Sequence, residues 1–356
     1  MTQEHPAHAS LYGLQVGDAF GAQIRLPGDH PDVVGRVLPP APWAWSDDTE
    51  MACSVFAVLT RHGRIDQDDL AWHFQHHFDP DRGYGSGAER VLLRYRRGES
   101  WRDVAPSVFG NGSWGNGGAM RVAPLGAWFG PDLDAVVAEA ARSAEVTHAH
   151  PEGVAGAVAV AVAAALACTT SLTGGDLLRA VAARVAPSEV RRRIEVAAGS
   201  GGPAEEVARE LGNGREVSAA DTVPLALWLA AHHFGDFPGA MWTAARVAED
   251  IDTVCAMTGG VLTARTGSGA IPVEWWNSCE PLPLWFTGPP APPPDQPQVV
   301  QWDEWQVIHP PPDVWSGGMT MVCGDFEIGV PNWVSREDAL DYARAVRDGK
   351  NPKAPF

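Results

Sequence analysis

In the stretch "ASLYGLQVGDAFGAQIR", residues Ala9, Gly13, Gly17 and Gly21 recur every four residues. Positions four apart share one face of a helix, so this spacing makes a smooth stripe along which a second helix can approach closely. Helical patterns then recur at about 49–62, 66–78, 86–97, 133–144, 152–168, 174–184, 188–197, 204–211, 221–234, 239–248 and 252–264. Runs of alternating apolar and polar residues are almost absent before residue 290, which predicts an all-α architecture for that part. The longest apolar run, "VAGAVAVAVAAALAC" (Val154 to Cys168), is too short to span a bilayer and reads as a buried helix, so no membrane partner is expected.

The composition changes at residues 288–298, "GPPAPPPDQPQ", where six of eleven residues are proline. Such a segment reads as a stiff, extended linker or surface strap. Beyond it, "VVQWDEWQVI" and "MTMVCGDFEIGV" have strand-like content, and "VSREDALDYARAVRDG" reads as a short helix with Ser335 as N-cap and Gly349 as stop. The predicted organisation is an all-α domain over 1–287, a linker over 288–298 and a small α+β appendage over 299–356. The appendage is expected to pack on the main domain through Trp302, Trp305, Trp315 and Trp333.

The chain has 356 residues, 45% hydrophobic and 20% charged, which supports a substantial core. Its formal charge of −18 argues against tight binding to a nucleic-acid backbone. It leaves anionic ligands open where metal ions neutralise the site. The five cysteines, at 53, 168, 255, 279 and 323, are odd in number and form no Cys-x-x-Cys pair. Reduced thiols in a cytoplasmic protein are the expectation, and no signal peptide is evident.

The residues that carry chemistry fall in four places. "WSDDTE" puts Ser46, Asp47 and Asp48 between an aromatic-rich turn and an apolar helix, and "EDIDTV" puts Asp250, Asp252 and Thr253 two hundred residues later. Each is a pair of carboxylates beside a hydroxyl, an oxygen-only set that suits Mg²⁺, Mn²⁺ or Ca²⁺. Four aspartates and two divalent cations balance in charge. Each cluster alone is equally what a helix N-terminus uses for capping. The third place is "FGNGSWGNGGAMR", with five glycines and two asparagines over residues 109–118. It reads either as a backbone nest for phosphates or as a plain tight loop, with a helix starting at the "AMR" continuation. The fourth is "THAHPEG", where Thr147, His148 and His150 could bind a ribose or phosphate, or His148 could be a core histidine. His73, His76 and His77 read as solvated helix faces without a zinc pattern.

Taken in order, Gly13 to Gly21, Ser46 to Thr49, Gly115 to Arg121, Thr147–His148 and Asp250 to Thr253 resemble the motifs of the ADP-ribosylglycohydrolases. The resemblance covers roughly residues 9 to 285. It implies an all-α fold with a two-magnesium cleft, in which Ser46, Asp47, Asp48, Asp250, Asp252 and Thr253 take the metal-ligand positions. It further implies that Ser113, Trp114, Gly115, Asn116, Gly117, Gly118 and Met120 wrap the ADP-ribose, with His148 beside its diphosphate or ribose. The "GSWGNGGAMR" wording is close to relatives that cleave serine-linked ADP-ribose and poly(ADP-ribose). The implied reaction is hydrolysis at the anomeric carbon of the ribose, with Asp47, Asp48 and Asp252 as catalytic residues, an aspartate such as Asp47 or Asp48 positioning or deprotonating water, and Mg²⁺ (or Mn²⁺) as cofactor. The partner would be ADP-ribose or an ADP-ribosylated protein, nucleic acid or small molecule. Ser46 stands where most relatives have threonine. Arg25 stands where many carry a glutamate; it cannot ligate a cation but could clamp a phosphate. Either the linkage differs, or an acid such as Glu50 compensates, or the protein binds ADP-ribose without turning it over, as an immunity protein would. A structural protein that kept the fold is a third reading, against which the intact loops argue. The appendage would select the target, cover the cleft or mediate self-association.

Overall fold

The computed structural model describes residues 4–26, 28–287, 298–302, 305–309, 318–323, 326–331, 336–348 and 350. The first helix, Pro6–Gln23, lies along the Ile251–Thr266 helix. The glycine stripe permits this contact. A Cβ on Gly17 would lie 2.3 Å from the Cys255 carbonyl oxygen, and one on Gly21 would lie 2.5 Å from the Asp252 Cα. The requirement is mutual, since a Cβ on Gly259 would lie 2.3 Å from the Gly13 carbonyl oxygen. The Ser10 hydroxyl then donates to the Gly260 carbonyl at 2.8 Å, which pins the register.

The same device builds the next layer. A Cβ on Gly126, in the Ala123–Phe129 helix, would lie 1.9 Å from the Ala161 carbonyl oxygen of the Pro151–Thr169 helix. Gly156 of that helix faces the Ala219 methyl of the Ala219–His232 helix. The Pro151–Thr169 helix is buried on all sides from Ala155 to Ala167, as a helix without a polar face must be. It has the length and composition of a membrane span, yet it forms the centre of the core.

Around this centre the predicted helices stand within about two residues of their expected limits, for example Asp47–His62, Leu133–Glu145 and Ala204–Leu211. Two seven-residue helices, Trp101–Ser107 and Ala123–Phe129, are too short to show a period in sequence. The helix expected at "AMR" begins at Ala123, two residues past Arg121, whose side chain is buried. A second correction concerns His73, which is buried rather than solvated; burial pushes its pKa down to about 4 and keeps it neutral. Its neighbours His76 and His77 lie against Trp72 and Trp285 respectively.

The aromatic turn before Ser46 is locked from two sides. Trp43 packs on Phe20 and Trp275, and its backbone N–H donates to the Ser278 carbonyl at 2.6 Å. Arg82 lies over the Trp45 ring and grips Glu280 through two bonds of 2.7 and 2.9 Å.

The appendage contains an antiparallel sheet of four strands in sequence order, Gln298–Trp302, Trp305–His309, Gly318–Cys323 and Phe326–Pro331, and the helix Arg336–Arg347. Trp305, expected against the main domain, is buried in a small core with Met321, Ala339, Leu340 and Ala343. The side chain of Trp302, Trp315, Trp333, Ser335, Gly349 and linker residues 288–297 lie outside the described residues.

Gly17→Ala should cost about 2–4 kcal/mol, because the methyl meets backbone rather than a movable side chain. Gly269→Ala, where an added methyl meets nothing within 4 Å, should stay within about 0.5 kcal/mol of the parent. Urea unfolding of the two variants checks this; equal stabilities would remove the stripe from the account.

Candidate active site

The glycine contact sets where Asp18 stands. It sits mid-helix, fully buried, one residue after Gly17, and is carried to the N-terminus of the Asp47–His62 helix. There its carboxylate accepts from the Ser46 N–H at 3.0 Å, the Thr49 N–H at 3.0 Å and the Thr49 hydroxyl. Asp18 thus supplies, from another helix, the capping that exposed helix N–H groups require. Sequence reasoning left Asp18 out of the site. Its visible signals were a lone carboxylate inside a stripe of small, core-forming residues and its place within the Gly13 to Gly21 motif.

Two helix N-termini now converge, and both carry carboxylates in their first turns: Asp47 and Asp48 on one, Asp252 on the other, with Asp250 as its N-cap residue. Ser46 Oγ donates to Asp48 Oδ2 at 2.9 Å, and the Thr253 hydroxyl reaches the same oxygen at 3.5 Å across 205 residues of sequence. The Thr253 N–H donates to Asp252 Oδ1 at 3.0 Å. Oxygens of Asp18, Asp48 and Asp252 lie within 4.8 Å of one another. Asp47 is half-buried and close enough to Asp18, Asp252 and Asp250 to be repelled by all three.

Burial and mutual repulsion push these carboxyls up. Desolvation is the largest cause at each. Asp18 rises to about 6 and Asp250 to about 7, while Asp47 and Asp48 rise well above the ordinary carboxylate range. Helix dipoles offset part of this cost, but a first-turn dipole does not neutralise five aspartates. Asp48 Oδ1 is buried and has no hydrogen-bond partner, which is the arrangement a cation would complete. Asp18 lies within the same cluster, but its oxygens already accept three protein donors. We therefore read Asp18 as the support and Asp48 as the ligand position.

The glycine-rich loop closes one side. Asn116 bridges it to the carboxylates, donating from Nδ2 to Asp250 Oδ2 at 2.6 Å and to Thr222 Oγ1 at 3.1 Å. Gly115 and Gly117 lie over the His148 ring; a Cβ on Gly117 would be 2.8 Å from Cε1. His148 is buried, and desolvation pushes its pKa down to about 3, so it is neutral. Ser113 accepts from the Gly115 N–H, and Met120 is buried beneath the loop. Trp114 is exposed and packs at a tilt on Phe109 and edge-on to His150.

Not every candidate joins this assembly. Arg25 is exposed, two residues beyond the last residue of the first helix, and makes no hydrogen bond or ion pair among the described residues. Glu50 is not part of the group that the three clustered aspartates form; it accepts from the Asp79 N–H at 3.1 Å and the Tyr84 hydroxyl at 2.7 Å. It holds the loop after the Gln67–His77 helix.

The all-helical core brings buried carboxylates to the edge of a glycine-rich loop, an arrangement with room for a cation and a ligand beside it. The comparisons with known proteins agree. The family model for ADP-ribosylglycohydrolase matches residues 2–289. The chain is 31% identical to ADP-ribosylhydrolase ARH3 of Homo sapiens, over 66% of this chain and 74% of that one. It is 27% identical to ADP-ribosylarginine hydrolase Tri1 of Serratia proteamaculans, over 76% and 74% of the two chains. A solved structure described as an ADP-ribosylglycohydrolase-related protein complex superposes with a TM-score of 0.57 and 28% identity, covering 78% of this chain and 92% of its own. The chain belongs to the ADP-ribosylglycohydrolase family, a family of hydrolases acting on ADP-ribose linkages.

The raised carboxyls fix the sign of a pH effect. A carboxyl whose folded pKa lies above its unfolded value favours the folded state at low pH, and that contribution is lost as pH rises through the folded pKa, here between about 4 and 7. His73 and His148 oppose this slope below pH 6.5 but do so equally with and without a cation. The rise in melting temperature on adding Mg²⁺ should therefore grow from pH 5 to pH 8. Asp48→Asn should raise the melting temperature of the metal-free protein by roughly 2–5 °C and abolish most of the Mg²⁺ effect. A Mg²⁺ effect that is flat with pH, or unchanged in Asp48→Asn, would contradict the assignment.

Proposed function

We propose that this protein is a Mg²⁺-dependent ADP-ribosylhydrolase that cleaves the glycosidic bond between ADP-ribose and a modified protein, nucleic acid or small molecule. The observation that carries this reading is the unpartnered, buried Asp48 Oδ1 among converging aspartates, beside a glycine-rich loop. The donor set is oxygen only, which fits Mg²⁺ or Mn²⁺ and disfavours zinc.

Ser46, Asp47, Asp48, Asp250, Asp252 and Thr253 would hold two ions, with Asp18 fixing the backbone of the first three. Such ions supply Lewis-acid polarisation and orientation of the ribose hydroxyls when bound. The chain's own residues do the rest. Asp47 is less enclosed than Asp48 and, once cations hold it ionised, would be the more accessible carboxylate to position or deprotonate an attacking water. Asp48 and Asp252 would balance the charge of the bound ions and fix them beside the anomeric carbon. Asn116 holds the loop against Asp250, so that ligand binding and carboxylate placement are coupled. Neutral His148 offers a polar ring nitrogen to the diphosphate or ribose without adding a charge.

Arg25, exposed and two residues beyond the first helix, would meet a phosphate or the modified target rather than a cation. All five cysteines are free thiols, which supports the cytoplasmic setting proposed for the enzyme.

Release of free ADP-ribose from arginine-, serine- and nucleobase-linked substrates tests the reading. Activity on at least one substrate should require Mg²⁺, vanish with EDTA and fall by at least about a hundredfold in Asp48→Ala. Binding of ADP-ribose without release from any of them would leave a non-catalytic binding protein.

A further inference from the structure

Arg121 takes no part in the chemistry above, yet its guanidinium is fully buried behind the glycine-rich loop. Nη2 donates to the Ser143 carbonyl at 2.6 Å and to Thr147 Oγ1 at 2.9 Å. The group lies 4.4 Å over the Phe74 ring, with Nη1 3.5 Å from Met51 Sδ. A guanidinium has donors and no acceptor, so Thr147 Oγ1 must be the acceptor in that bond. The Thr147 hydroxyl keeps one proton of its own to give. Its one remaining partner among the described residues is His148 Nδ1, at 2.8 Å. Were an Nδ1–H the donor, the buried hydroxyl proton would have no acceptor among the described residues, so Nδ1 accepts and the ring proton resides on Nε2.

The far side of the ring faces the ligand loop. A Cβ on Gly115 would lie 3.3 Å from both His148 Nε2 and Ser113 Oγ, and one on Gly117 would lie 3.0 Å from Nε2. Any side chain at these two positions would cover the Nε2–H, so their being glycine keeps it open. An Nε2–H at the Gly115 and Gly117 backbone is a fixed donor and accepts nothing. It matches an oxygen that has only lone pairs to offer, as a diphosphate does.

We propose that Arg121 and Thr147 are positioning residues that lock His148 as the neutral Nε2–H tautomer, which makes it an obligate donor to an acceptor oxygen of the bound ligand. The identity of that ligand rests on the functional reading above; the tautomer does not. Burial and the nearby Arg121 charge act in the same direction, since both oppose a second proton on the ring.

Nitrogen-15 spectra of histidine-labelled protein read the tautomer directly, with the His148 signals identified by their loss in His148→Gln. The parent should show a bare Nδ1 and a protonated Nε2 from pH 8 to pH 5, with no titration in that range. Thr147→Val keeps the shape and removes the hydroxyl; it should give mixed tautomers and bind ADP-ribose about tenfold more weakly by calorimetry. Thr147→Ser should restore the parent spectrum and affinity, and the Mg²⁺-induced thermal shift should persist in both variants as evidence of an intact fold. A ring proton on Nδ1 in the parent, or parent-like tautomer and affinity in Thr147→Val, would overturn the proposal. Failure of the parent to bind ADP-ribose would instead overturn the functional reading, and the parent spectrum would still decide the tautomer.

Discussion

The site depends on how closely two helices approach. Pro6–Gln23 and Ile251–Thr266 meet backbone to backbone along Gly13, Gly17 and Gly21, and no side chain fits between them. That approach brings Asp18 to the capping position of the Asp47–His62 helix and sets Asp252 beside it. Were the helices at an ordinary side-chain-filled separation of about 8–10 Å, the Asp18 carboxylate would not reach Ser46 and Thr49 while Asp252 reached the same cluster. Packing and chemistry are therefore one constraint.

The electrostatic consequence is a centre that is unfavourable by itself. Two helix N-termini and several hydroxyl donors soften the repulsion between buried aspartates, yet every one of Asp18, Asp47, Asp48 and Asp250 remains shifted toward its protonated form. Proteins retain such strain where a ligand relieves it. On the other side of the loop the charge pattern is reversed. A buried arginine and a neutral histidine stand behind glycine backbone, where an anionic ligand would be drawn in.

Much of this was legible in sequence, but unevenly. The helices of the core announce themselves by period, and the glycine stripe announces its own packing. The two Asp-Asp and Asp-x-Asp pairs could each have been ordinary caps, and they are indeed helix starts; only the ordered resemblance brought them together. Asp18 was missed because a single carboxylate inside a helix looks the same whether it faces solvent or caps a distant helix. Arg121 stands out in sequence only as part of a motif, since nothing in a sequence tells that an arginine turns inward to hold a threonine. His73 was misread because a run of histidines near a helix end has no period to separate its buried member from its half-exposed neighbours. Trp305 serves a small core within the appendage, a distinction between local and long-range packing that composition does not carry.

The central claim is that the carboxylates gathered by the glycine contact hold divalent cations. Anomalous diffraction from crystals grown with Mn²⁺ tests it most directly. The account predicts strong peaks between the two helix N-termini, with at least one within roughly 2–2.5 Å of Asp48 Oδ1. Crystals that bind Mn²⁺ only at surface carboxylates, with no peak in that centre, would contradict it.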